Sequence, residues 1–206
     1  MITIAAFKWV PDFARGFVRD LRLRWALEEA GIPYEVELID SEMQKSETYR
    51  QWQPFGQVPA YRDEEVELFE SGAIVLHIAA TSKALAPADH PGQAQVAAWV
   101  FAALNSVEPR AQNYIHLRNA VSEDLQKAIT AKLHDRLNAL SDRLGDEDYL
   151  EGRFTAADIV MTTVLRELAA EEALSGFPRL QAYVDRNEGR VAFQKALSDQ
   201  LADFDR

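Results

Sequence analysis

The chain has 206 residues, enough for one large or two small domains, and 48% of them are hydrophobic, an ordinary fraction for a packed core. It contains no cysteine, which excludes disulfides and any protein thiol as nucleophile or redox centre. Its net charge of −11, from 22 Lys and Arg against 33 Asp and Glu, argues against a general nucleic-acid binder.

The N-terminus carries no basic region before its apolar residues, and no apolar run is long enough to span a bilayer. A cytoplasmic protein without membrane contact is the expectation. Residues 2–7 are a short, β-branched apolar run that predicts a buried strand. Phe17, Val18, Leu21, Leu23, Trp25, Ala26, Leu27 and Ala30 then recur at helical spacing, and Gly31 with Pro33 ends that helix. Residues 34–39 alternate as a second strand, and residues 43–52 suit a short helix. Pro54-Phe55-Gly56 marks a turn. Residues 58–61 and 66–69 read as a hairpin, and residues 71–80 as a helix.

The order βαβαββα predicts a small mixed sheet over residues 1–81. Residues 82–90 hold Ser82, Pro87 and Asp89 and read as a linker ahead of an all-α region, 91–206. A long helical pattern runs from Gln93 to Asn119 and is interrupted at Pro109. Residues 122–144 form another helix, closed by Gly145. Thr155-Ala156-Ala157-Asp158 has the spacing of a capping box, with a hydroxyl at the N-cap and an acid three residues on. Pro178 opens a further helix, and Gly189 separates a last one. The four histidines, His77, His90, His116 and His134, are scattered without a metal-ligand spacing, so no metal is expected. His77, in an apolar helix, reads as a core residue.

Three stretches resemble the glutathione S-transferase family: Gln53-Pro54-Phe55-Gly56-Gln57-Val58-Pro59, Leu68-Phe69-Glu70-Ser71-Gly72-Ala73-Ile74, and Gly152-Arg153-Phe154-Thr155-Ala156-Ala157-Asp158. Leu27-Glu28-Glu29-Ala30-Gly31-Ile32-Pro33-Tyr34 adds a weaker match. The resemblance is to a cysteine-free bacterial member with an atypical first loop. It implies a thioredoxin-like α/β domain followed by an all-helical one, with glutathione as co-substrate.

It also implies a binding site. Gln57 would reach the glycyl end. Val58, ahead of a Pro59 that is cis in the family, would pair its backbone with the cysteinyl unit by strand addition. Glu70 would pair with the γ-glutamyl ammonium, while Ser71 and the helix N–H groups behind it would hold the γ-glutamyl carboxylate. Taken singly, Val-Pro is also an ordinary strand start, and Glu-Ser an ordinary helix cap.

The family activates the thiol with Tyr, Ser or Cys after the first strand, yet residues 8–19 contain no Tyr, Ser, Thr or Cys. Phe17, preceded by Gly16, stands near the expected position. Arg15 or Arg19, with the helix N–H groups, is the candidate to stabilise the thiolate. The alternative is that both are solvated, or pair with acids such as Asp12 or Asp20. Trp9, Phe13 and Tyr114 are candidates to line an electrophile pocket between the domains, although aromatics at such spacing also suit a core. Family members are homodimers, so Trp52 or Phe55 is a candidate contact. The activity implied is conjugation of glutathione to a small electrophile, a detoxification reaction. The alternative is a glutathione-binding or scaffolding protein without turnover.

Overall fold

A computed structural model of the protein describes residues 1–205. Its chain divides into two compact units: Met1–Leu85 joined by the segment from Arg190 onward, and Ala86–Gly189.

In the first unit, β1 (Ile2–Phe7), β2 (Tyr34–Ile39), β3 (Ala60–Arg62) and β4 (Glu67–Phe69) form one sheet in the order β2-β1-β3-β4. β1 runs parallel to β2, with Ile4 opposite Val36, and antiparallel to β3. Consecutive residues Ile4, Ala5 and Ala6 of β1 are all buried, so both faces of the central strand are covered. One face packs a cluster of Ala5, Ile39, Tyr49, Trp52, Val58 and Ala60. Tyr49 and Trp52 come from α2 (Glu47–Trp52), whose N-cap Ser46 accepts from the Tyr49 N–H. The hairpin strands are shorter than the sequence reading, with β3 starting at Ala60, so Val58 and Pro59 lie in the approach to it.

α1 (Asp20–Ala30) packs against α3 (Ser71–Ala80) and α9 (Val191–Asp203). It starts three residues later than the periodicity predicts, behind a 3-10 turn at Asp12–Ala14. Gly31 ends α1 at φ 66°, its N–H reaching Glu28 C=O while the Ile32 N–H reaches Leu27 C=O. This is a Schellman motif, and its left-handed residue explains the glycine.

The apolar pattern of α1 predicts one buried stripe, but every residue from Asp20 to Leu27 is buried. α9 covers the polar side. Arg24 Nε donates to Asp20 Oδ2 at 2.8 Å, and its Nη2 donates to Asp203 Oδ2 at 2.6 Å. Gln200 Nε2 adds a bond to Asp20 Oδ1 at 2.8 Å. Phe193 meets Trp25 edge-on at 4.9 Å. The helical stretch 91–206 is therefore divided: its last helix belongs with the sheet, because the charges it neutralises lie on α1.

The second unit is helical: α4 (His90–Ala102), α5 (Glu108–Leu117), α6 (Glu123–Leu144), α7 (Ala156–Ala170) and α8 (Pro178–Glu188). A π-helical segment, Ala103–Val107, separates α4 from α5 just ahead of Pro109. Pro109 has no N–H to give to the preceding turn, and the wider turn takes up the mismatch. α7 is buried along nearly its whole length. Its capping box forms as read: Ala157 N–H donates to Thr155 Oγ1 at 3.3 Å, and Thr155 N–H to Asp158 Oδ2 at 2.9 Å. Asp158 also accepts from Leu150 N–H at 3.1 Å and from the Tyr183 hydroxyl at 2.8 Å. Burial pushes the Asp158 carboxyl above its ordinary value, the hydrogen bonds opposing this. No helix among the described residues is long and apolar enough to cross a membrane.

Candidate functional site

The two short motifs meet at one end of the sheet. Ala60 pairs with Phe69, and continuing that register one residue sets Pro59 opposite Glu70. The approach loop is built by Gln53, a buried side chain whose Oε1 accepts from Phe55 N–H at 2.8 Å and from Gln57 N–H at 3.1 Å. The Tyr49 hydroxyl donates to Gln57 C=O at 2.6 Å. These bonds use both backbone groups of Gln57 and leave its exposed side chain outside. The Val58–Pro59 peptide bond is cis. The Val58 side chain is buried in the core, whereas none of the hydrogen bonds among the described residues engages its N–H or C=O. Buried backbone groups are nearly always paired, so an unused pair beside a loop is a place for an extended ligand.

Glu70 is exposed and holds φ 70°, ψ 110°. That is a left-handed conformation disfavoured for a residue with a side chain, and such strain gathers at binding sites. Glu70 C=O closes the first turn of α3 by accepting from Ile74 N–H at 3.0 Å. Ser71 begins α3 and is 5% exposed. Its Oγ accepts from Arg22 Nη1 at 3.0 Å, a bond between two buried side chains. Arg22 was not among the expected site residues. Its position between apolar residues of α1 reads as a solvated side, and only the packing of α3 on α1 brings it to Ser71.

The first loop differs from expectation. Arg15 is engaged by α9 and the residues after it: its Nη2 pairs with Asp205, donates to Leu201 C=O at 3.4 Å, and its guanidinium lies 5.6 Å from the Phe204 ring. The acid it meets is Asp205, not Asp12 or Asp20. Arg19 is exposed at the N-cap position of α1. Trp9 and Phe13 are 72% and 82% exposed, so neither is a core residue. Tyr114, on α5 of the second unit, is half-buried with Arg118 stacked 4.5 Å from its ring.

The two candidate contact aromatics part ways. Trp52 is 7% exposed, donates from Nε1 to Tyr61 C=O at 2.9 Å and carries the Arg62 guanidinium 4.6 Å over its ring. It is committed to its own core and is not available to a partner. Phe55 is 63% exposed and meets the half-exposed Phe69 edge-on at 6.0 Å. His77 is not fully buried either. It packs on the Tyr61 ring at 5.3 Å, with its Nε2 3.4 Å from Asp63.

A cavity of about 640 Å³ opens elsewhere in the first unit, walled by α1, β2 and α9. Its cations are already matched: Lys195 bonds Glu28 at 2.9 Å and Asp199 at 2.6 Å, and Arg24 holds its two acids. No group of three metal-ligating side chains gathers among the described residues.

Comparison with known proteins bears on the same residues. The family model described as the N-terminal domain of glutathione S-transferase matches residues 14–80, and that of the C-terminal domain matches residues 120–186. A glutathione S-transferase of Hyoscyamus muticus is 29% identical over 196 residues, spanning 86% of this chain and 92% of that protein. Glutathione S-transferase P of Capra hircus is 30% identical over 151 residues, 70% of each chain. Among solved structures, a ternary complex of BphK, a bacterial GST, superimposes with a TM-score of 0.79 at 27% identity, covering 96% of this chain and 98% of that one.

Proposed function

Because this chain belongs to the glutathione S-transferase family, we propose that it binds glutathione in its first unit and transfers the thiolate to a small electrophile. The observation that carries the proposal is the unused N–H and C=O of Val58, lying at the same end of the sheet as Glu70 and Ser71. In this reading Val58 pairs with the cysteinyl unit, and Pro59 fixes the chain beside it. Gln57 binds the glycyl end, Glu70 the γ-glutamyl ammonium, and Ser71 with the α3 N–H groups the γ-glutamyl carboxylate. One carboxylate beside one set of anion donors matches an amino-acid zwitterion.

Chemistry needs a thiolate near neutral pH, and positive potential or N–H donors lower a thiol's pKa. We assign this role to Arg19 at the N-cap position of α1, with the helix N–H groups beside it. Trp9 and Phe13, exposed on the first loop, are assigned to the electrophile. The protein then contributes binding, orientation and thiolate stabilisation. We extend the reading to a cytoplasmic homodimer in which the exposed Phe55 meets a second copy; a Phe55→Ser chain that stays dimeric removes that assignment.

A second reading has its own support. Residues 8–19 offer no hydroxyl or thiol to the sulfur. On that ground the protein is a glutathione-binding or scaffolding module without turnover. Glutathione-affinity capture followed by conjugation of a chloronitrobenzene separates the two. Capture with turnover is the expected result, capture alone across a panel of electrophiles favours the module, and no capture rejects both. Arg19→Ala is expected to raise the pKa of the bound thiol, read from thiolate absorbance. An unchanged pKa rejects the role given to Arg19.

A further inference from the structure

We propose that Arg22 is a positioning residue that makes Ser71 a dedicated hydrogen-bond donor to the γ-glutamyl carboxylate; the inference rests on the glutathione reading of this site. A guanidinium has donors and no acceptor, so the direction of the 3.0 Å bond is fixed: Arg22 gives and Ser71 Oγ receives. A serine hydroxyl has one proton to give and two lone pairs to receive with. One lone pair is committed to Arg22, and the proton must point elsewhere. A hydroxyl that accepts from a cation is also polarised toward giving its own proton more strongly.

Among the described residues no hydrogen bond uses that proton. Ser71 opens α3, whose first N–H groups have no partner within the helix, and no acidic residue stands in that first turn. The N-cap side chain, Glu70, does not fold back to cap those groups. Proton and N–H groups therefore serve one acceptor together. Arg22 is 1% exposed and Ser71 5%, so neither side chain is free to swing away. A serine without this arginine rotates its proton freely, whereas the bond from Arg22 fixes one lone pair and limits the directions that proton takes. With it, the site selects γ-glutamyl peptides that carry a free α-carboxylate.

The test compares two ligands on the full chain by calorimetry. One is glutathione, and the other is γ-aminobutyryl-cysteinyl-glycine, which lacks only the γ-glutamyl α-carboxylate. Arg22→Met is expected to weaken glutathione about tenfold, the loss typical of a charge-assisted hydrogen bond, and to leave the analogue unchanged. Arg22→Lys, which keeps a donor, is expected to recover most of the preference. Equal weakening of both ligands by Arg22→Met, or of neither, overturns the proposal. Should Arg22→Met fail to fold, Ser71→Ala carries the test, because it removes the donor and keeps the arginine. Loss of the carboxylate preference in Ser71→Ala supports the proposal, and a wild-type preference in that variant overturns it. A wild-type chain that binds neither ligand rejects the glutathione reading itself. One that binds both equally rejects only the role of Arg22.

Discussion

α1 carries two fully buried arginines two residues apart, and they do different work. Arg24 faces α9, where Asp20 and Asp203 bracket its guanidinium and Gln200 braces Asp20. Arg22 faces α3, where it gives a proton to the hydroxyl that opens that helix. The first seam is electrostatically closed. Its partners are fixed protein groups, and burial pushes the Asp20 carboxyl up even against the pull of Arg24. The second seam brings Arg22 to the hydroxyl of Ser71, at the N-terminus of α3.

The largest effect is expected at the α9 seam. A chain ending at Gly189 exposes Arg24, Asp20 and Trp25 together. It is expected to lose its cooperative thermal transition by circular dichroism, although the helices of the second unit remain in the sequence. Next is Asp203→Ala, which leaves Arg24 buried with half its compensation. Breaking a buried pair in this way costs about 3 kcal/mol, to be read from urea unfolding, and glutathione affinity is expected to stay within about twofold.

Glu70→Gly probes the second seam, where α3 begins. A glycine accepts φ 70° without the cost a side chain pays there, so stability is expected to rise by about 1 kcal/mol. Affinity for glutathione is expected to fall, because the carboxylate for the ammonium is gone. A gain in both would show that the strain serves no ligand.

The smallest effect belongs to a charge in neither seam. The Tyr61 hydroxyl, with the N–H groups of Glu65 and Val66, holds the Asp63 carboxyl well below its ordinary 3.8. The unfolded chain binds that proton more readily, so stability from Asp63 is complete above its ordinary value and is lost as pH falls below it. Asp63→Asn is expected to flatten the acid limb of the stability profile between about pH 4 and 2, measured by urea unfolding at each pH.

Local features of this protein were legible in the sequence because their causes are local. Gly31 stops α1 through a bond pattern spanning six residues, and Thr155 with Asp158 builds a cap within one turn. The Val58-Pro59 and Glu70-Ser71 motifs are a dozen residues apart and joined by one hairpin, so their meeting follows from strand order. Arg15 shows where this reasoning ends. Its partner Asp205 lies 190 residues away, and nothing near Arg15 distinguishes that acid from Asp12. Trp52 and Phe55 look equivalent as aromatics in one loop. Only the Tyr61 carbonyl and the Arg62 guanidinium, supplied by β3, bury one and leave the other at the surface.

The sequence by itself determined the order of elements, the βαβαββα first domain with helices behind it, and the two short motifs that form a candidate ligand end. Those depend on periodicity, on glycine and proline geometry, and on contacts between chain neighbours. The tertiary structure decided what the charged face of α1 is for. Asp20, Arg22 and Arg24 have the spacing of solvated residues, and it is the docking of α9 and α3 that removes their water. Once desolvated, each charge must find a partner; Asp20 lies one turn from Arg24, but Asp203 lies 179 residues along the chain from it and Ser71 lies 49 from Arg22. No local pattern records such distances, because the energy that fixes them arises only when the helices pack.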